Sequence, residues 1–450
     1  MIEETPMNSK STIRHFIYNI SVFLNSGVTI FLLSLVNGYL YSELSGSYSN
    51  GQQIDISVCY ATAIVGVIIS IVSPGRLHLF KNLSLISASF ILLIARDLGR
   101  SAISLACIII ALFHAAFLLL RRYLDYTHIP FSLLVGFKFT LIILMFFQQF
   151  FTFSESSMPP ENLNITDYFY LLVNTIKSHG IEKLIITIIG SAIMVVFLNK
   201  YPKIPWNTVL IISGVFFFIS FKQFHTVLTL GELISVNSSY INLSDMLKHN
   251  LFNLSNYELL LNQKLWVYSF GFSIFIWYET MITINYVRDL DFKYTNSRLE
   301  TFGLIVGNLI SGVFGFLPIT NGFVANMQLK GLKSLHRFNY TGGLLFLLII
   351  PLSCWTLIRY IPVAILPIFF ISMLLAEIKK SDIEFFVQIN KGKLFFVILV
   401  PLICLYIDIV YAFVFSMIIY HVIYGYNRGT TFYNLDNPNH FFNRVIKYAK

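Results

Sequence analysis

Apolar residues run in long blocks from one end of the chain to the other, separated mostly by short polar stretches. Many blocks approach the ~20 residues that a helix needs to cross the ~30 Å hydrocarbon layer of a bilayer. Reading each block as a span places spans near 16–36, 54–73, 82–95, 102–120, 131–149, 183–199, 206–221, 265–287, 302–317, 323–335, 340–358, 363–379, 393–406 and 408–425. The period-two alternation of a membrane barrel is missing, and helices are the other form that satisfies every backbone group inside lipid. The pattern predicts an all-α polytopic membrane protein of about fourteen spans, several of them short.

Composition agrees. Hydrophobic residues make up 56% of the chain and charged residues 12%, whereas soluble domains carry about a quarter charged residues. The first apolar run is longer than a signal-peptide core and has no small-residue cleavage site after it, so it reads as a retained span. Cys59, Cys107, Cys354 and Cys404 all lie inside apolar runs without metal-ligand spacing, so they read as packing residues. No cofactor or metal is expected. The net charge of +9 does not point to nucleic acid, because the basic residues are scattered through loops between spans.

Those loops set a topology. With the N-terminus inside, 22 of the 31 lysines and arginines fall on cytoplasmic segments, 8 on outer ones and Lys138 inside a span. Residues 1–15 and 426–450 are then cytoplasmic, flanking a transmembrane domain over 16–425. The expected location is a bacterial inner membrane. The segments 151–180 and 222–264, poor in Lys and Arg, read as extracytoplasmic connections. A faint repeat also shows: Ile129-Pro130 opens the fifth span and Ile361-Pro362 the twelfth. Two halves of seven spans, 16–221 and 265–425, must be inverted with respect to each other, and inverted repeats mark secondary transporters.

In such carriers interrupted helices aim their N-terminal N–H groups at a substrate near mid-membrane. Two breaks stand out, at segments 3 and 10. The first runs from Ser73 to Asn82 and leads into a short apolar segment; the second runs from Gly315 to Phe323. Thr320, Asn321 and Gly322 suit a buried helix start, since side-chain oxygens cap N–H groups and glycine admits a ligand close to the backbone. An ordinary loop between spans is the alternative. Glu279 is the one acidic residue placed well inside a span, where a carboxylate costs ~3 kcal/mol unless it faces a partner, a cavity or a proton. It is a coupling candidate, with an interhelical hydrogen bond as the bland reading. Lys138 either acts in the membrane or snorkels to the cytoplasmic edge. Lys81 either adds positive charge to an anion site at a helix start or is a loop lysine. His114 reads as a satisfied interior histidine.

These residues resemble the sulfate permease (SulP) anion-transporter family. The similar stretches are Tyr278-Glu279-Thr280, Asn296 to Leu299, and Asn308 to Thr320 with its Gly315-Phe-Leu-Pro318-Ile-Thr320 turn. Ile129-Pro130 through Phe137 and Lys203-Ile-Pro205 resemble the family's spans five and seven. The resemblance covers about 70–425. It implies a seven-plus-seven inverted repeat in which a core (spans 1–4 and 8–11) moves against a gate (spans 5–7 and 12–14). It also implies an anion held between the starts of spans three and ten. Substrate-binding candidates are then Lys81, Asn82, Ser84, Ser87, Thr320, Asn321, Gly322 and Phe323, with Lys138 and Asn326 as secondary candidates.

Departures concentrate at that site. After Thr320 the chain reads Asn321-Gly-Phe-Val-Ala-Asn326, without the positive side chain often found there, and Lys81-Asn82 replace the family's Gly-Pro. Lys81 is thus expected to supply the missing charge. About 25 residues follow Tyr424, too few for the STAS domain of most relatives, so a separate STAS chain is a candidate partner. Family resemblance implies a homodimer. The leading expectation is a secondary transporter of sulfate, bicarbonate or a carboxylate, coupled to H⁺ or Na⁺. A nucleobase-like solute symporter of the same fold and a non-transporting scaffold or sensor are the alternatives. No catalytic constellation stands at a membrane face, so an enzyme is not expected.

Overall fold

The computed structural model describes residues 19–34, 56–73, 79–82, 88–120, 181–201, 204–220, 254–288, 297–323, 337–353 and 365–376, with isolated positions elsewhere. These form α1 (Asn19–Ser34), α2 (Ile56–Val72), α3 (Ala88–Leu98), α4 (Ala102–Leu120), α5 (Ile181–Lys200) and α6 (Trp206–Ser220). After a 3₁₀ turn over Leu254–Leu261 come α7 (Gln263–Arg288), α8 (Ser297–Phe314), α9 (Arg337–Ser353) and α10 (Ile365–Ala376). Each overlaps an expected span.

Local chemistry sets the ends. Asn262 caps α7, its side-chain oxygen accepting from the Lys264 amide at 3.0 Å. Helix α8 begins five residues earlier than the apolar pattern indicated and stops three earlier. It stops because Gly315 takes a left-handed φ of 72°, and the Phe316 amide reaches back to the Ser311 carbonyl at 2.8 Å. In α9 the interior Pro351 has no N–H to offer the Leu347 carbonyl. Tyr60 of α2 replaces that donor, its hydroxyl donating to Leu347 O at 2.6 Å.

Helix α4 packs along α8 and also touches α7 and α3; α2 packs on α9 and α8. Helix α1 joins this group through α9, where a Cβ at Gly27 would lie 2.7 Å from Phe346 and one at Gly343 would lie 2.5 Å from Ile30. Small residues permit that approach, as is usual between helices in lipid. A second group forms where α5 and α6 pack on α10. In the numbering of spans expected from the sequence, the α4–α8 pair is four with nine and the α2–α9 pair is two with eleven. Adding seven carries one pair into the other, the internal symmetry that an inverted repeat requires.

The faces away from these contacts are apolar. Ile185, Ile186, Ile189, Ile193 and Val196 of α5 are about half exposed. Water would penalise such a stripe, whereas lipid is its natural solvent.

Candidate functional site

The two broken segments meet. Asn82 and Thr320 form an antiparallel bridge, the Asn82 amide donating to Thr320 O at 3.0 Å and the Thr320 amide returning to Asn82 O at 2.9 Å. Both residues are buried. Irregular backbone at this depth must find partners inside the protein, and here side chains from neighbouring helices supply them.

On the segment-10 side, the Leu317 amide donates to Thr62 Oγ1 at 3.0 Å. Asn308 grips Ile319 by both ends: its Oδ1 accepts from the Ile319 amide at 2.9 Å and its Nδ2 donates to the Ile319 carbonyl at 3.0 Å. On the segment-3 side, Asn326 does the same to Phe80, at 2.7 Å from the amide and 2.8 Å to the carbonyl. The Lys81 amide donates to Ser70 Oγ at 2.9 Å, and the Leu79 amide to Glu300 Oε1 at 3.2 Å. Two asparagine clamps, both from the second half, fix the strands: Asn308 holds segment 10, and Asn326 ties it to segment 3.

The start of segment 10 is capped from another helix. Glu279 of α7 accepts from the Phe323 amide at 3.0 Å, placing a carboxylate on the positive end of that helix. Its neighbours secure the turn: Thr283 Oγ1 donates to the Asn321 carbonyl at 3.1 Å, and Asn321 Nδ2 donates to Thr280 Oγ1 at 3.3 Å. Asn321 Oδ1 is buried with no partner among the described residues, and the amides of Asn321 and Gly322 make no hydrogen bond there either. The capping role assigned from sequence to Thr320 and Asn321 therefore belongs to Glu279.

Of the residues singled out in the sequence, the fold gathers Lys81, Asn82, Glu279, Thr320, Asn321, Gly322, Phe323 and Asn326 around this bridge. The side chains of Ser84, Ser87 and Lys138 lie outside the described residues. Two assignments change. Asn326 faces backbone, with its amide engaged by Phe80 and by Gly322 O at 3.0 Å. Lys81, expected to offer a positive charge to an anion, instead places its ammonium 2.7 Å from Glu300 Oε2, with both side chains buried. Among the described residues Lys81 is the only buried lysine or arginine, so that charge is already matched. His114 is buried as expected, its Nε2 lying 3.0 Å from the Ser273 carbonyl, but its Nδ1 has no partner among the described residues, so the ring is only half satisfied.

Glu300 is not among the residues that the sequence pattern singles out, because the apolar run begins after it. A signal was present: Ser297-Arg-Leu-Glu300 has the spacing of a capping box, which places the glutamate inside the first turn of a helix. The Thr283 contact follows from Glu279 by the i, i+4 spacing of a helix face, while Thr280 is simply its chain neighbour. The Asn308 clamp lay within the family-like motif, but its partner Ile319 is visible only in the fold.

No protein-family model matches this sequence, and no curated protein matches it. Solved structures do. The transmembrane domain of a cyanobacterium bicarbonate transporter, BicA, matches at a TM-score of 0.62 with 17% identity, over 89% of this chain and 97% of that one. SLC26A9 matches at 0.64 with 10% identity, over 92% of this chain and 66% of that one. The murine SLC26A9 anion transporter in its inward-facing state matches at 0.59 with 10% identity, over 92% and 69%. The chain spans about two thirds of the length of SLC26A9. With the paired breaks and the symmetric helix contacts already described, this places the protein in the fold of the SulP/SLC26 transmembrane domain, an integral membrane architecture.

Proposed function

We propose that the protein is a secondary active transporter of a small anion, bound where the starts of segments 3 and 10 meet. The observation that carries this reading is the Asn82–Thr320 pairing. It brings two inverted breaks together and leaves the Asn321 and Gly322 amides at a helix start, the arrangement that suits an anion. The solved neighbours described as a bicarbonate transporter and an anion transporter support the class. Alternating access would move α1–α4 and α7–α9 against α5, α6 and α10. The two groups touch at a polar contact, where Asn207 of α6 donates from Nδ2 to Thr29 Oγ1 at 2.7 Å and from its amide to Asn25 Oδ1 at 3.3 Å.

Charge balance narrows the substrate. With Lys81 matched by Glu300 and the segment-10 start facing Glu279, the charged side chains described at the site supply no net positive charge, and only backbone N–H groups favour an anion there. A singly charged species such as bicarbonate or a monocarboxylate fits better than sulfate. Glu279 is the coupling candidate: a proton or Na⁺ on its carboxylate adds one positive charge beside the Asn321 and Gly322 amides, so cation and anion would travel together. The same balance favours, as a second reading, an uncharged nucleobase-like solute. The working assembly in this reading is a homodimer in a bacterial inner membrane, with both termini cytoplasmic and a separate STAS-domain protein as a candidate regulator.

The test is uptake by proteoliposomes of labelled bicarbonate, sulfate, mono- and dicarboxylates and uracil, with imposed H⁺ or Na⁺ gradients. Anion uptake is expected. Uracil uptake alone would establish the second reading, and no uptake together with no ligand-dependent thermal shift would sink both.

A further inference from the structure

Lys81 occupies a slot that the neighbouring helices leave open for it. A Cβ at Gly303 of α8 would stand 2.6 Å from Lys81 Cε and 3.0 Å from Ser73 Oγ, and one at Gly66 of α2 would collide with the Lys81 carbonyl. The side chain is among the largest in the fold that are fully buried. Its ammonium ends on Glu300 Oε2 at 2.7 Å and also reaches the Leu79 carbonyl at 3.3 Å. The other carboxylate oxygen of Glu300 accepts from the Leu79 amide. Glu300 thus holds the strand entering segment 3 twice, once through backbone and once through Lys81. Immediately after Lys81 comes Asn82, which pairs with Thr320.

We infer that Lys81 and Glu300 are a pair of positioning residues. They set the placement of Asn82 against Thr320, and Lys81 does not act as a ligand of the transported anion. This rests on the transport reading above for its kinetic arm, but not for its stability arm. The physical argument is that a buried ion pair matches its own charge, so losing one member costs much more than neutralising both, provided an acceptor for the Leu79 amide is kept. A charge that serves the substrate behaves oppositely.

The experiment compares wild type, Glu300→Gln, Lys81→Met and the double Lys81→Met/Glu300→Gln variant, which keeps an acceptor for the Leu79 amide, by KM for the transported anion and by thermal unfolding in detergent. Glu300→Gln is expected to raise KM by about tenfold or more and to lower Tm, and the double variant to return KM to within about threefold of wild type. If Lys81 instead binds the anion, freeing it in Glu300→Gln lowers KM, and both Lys81→Met variants lose uptake while staying folded. Either result overturns the inference. If wild type transports none of the tested solutes, the transport reading fails, but the pair is still tested. Recovery of Tm in the double variant relative to Glu300→Gln supports it, and unchanged Tm in Glu300→Gln overturns it.

Discussion

The Asn326 side chain holds Phe80 by both backbone groups across 246 residues of sequence. A primary amide offers a donor and an acceptor side by side without needing a proton, which is what a strand edge presents. Asn326→Asp keeps the shape, but an ionised carboxylate turns the donor into an acceptor facing the Phe80 and Gly322 carbonyls, and a protonated one can serve only one of them, at the cost of holding a proton. It should destabilise at least as much as Asn326→Ala, which leaves buried groups unpaired at a cost of about 1–3 kcal/mol each. Thermal unfolding of both variants in detergent decides this. A stable Asn326→Asp protein would show that the clamp is not needed.

Tyr60 and Pro351 are linked through the Leu347 carbonyl. Tyr60→Phe should cost about 1–3 kcal/mol, because the carbonyl freed by the proline is left buried and unpaired. Pro351→Ala restores an N–H within α9. In that background the same Tyr60→Phe change should cost far less, so the two substitutions should be strongly non-additive. Additive losses of Tm would refute the substitution of one donor by the other.

Neighbouring glycines of α8 should respond differently to the same methyl group. A Cβ at Gly307 finds Ile319 at an ordinary 3.4 Å, while one at Gly303 stands 2.6 Å from Lys81. Gly307→Ala should be neutral or gain up to about 1 kcal/mol from helix propensity. Gly303→Ala should lose about 1–3 kcal/mol through overpacking of the lysine slot. Gly66→Ala should be the worst of the three, since its methyl meets the Lys81 carbonyl and backbone yields less than a side chain. Melting temperatures of the three variants rank them.

Glu279 separates capping from charge. In Glu279→Gln the amide oxygen can still accept from the Phe323 amide, so Tm should stay near wild type, whereas Glu279→Ala should lose about 1 kcal/mol with the cap. If the carboxylate carries the coupling ion, Glu279→Gln should abolish the dependence of uptake on an imposed H⁺ or Na⁺ gradient while leaving the protein folded. Gradient-driven uptake that persists in this variant removes Glu279 from coupling.

Much of the fold was legible along the chain because lipid imposes a length rule: apolar blocks near twenty residues become helices, and Pro and Gly mark where they stop. The breaks before Asn82 and before Phe323, Glu279 as an intramembrane acid and His114 as interior packing could all be read locally. The start of α8 could not, because Ser297 to Glu300 are polar and enter the helix through capping rather than hydrophobicity. Partners were decided by the tertiary structure. Nothing near Lys81 announces Glu300, which lies 219 residues away, and nothing near Asn326 announces Phe80. Hydrophobic length acts one block at a time and is written in the order of residues. A buried charge or amide must instead be satisfied by whichever distant group the fold brings within about 3 Å, and that choice set Lys81 on Glu300 and Asn326 on Phe80.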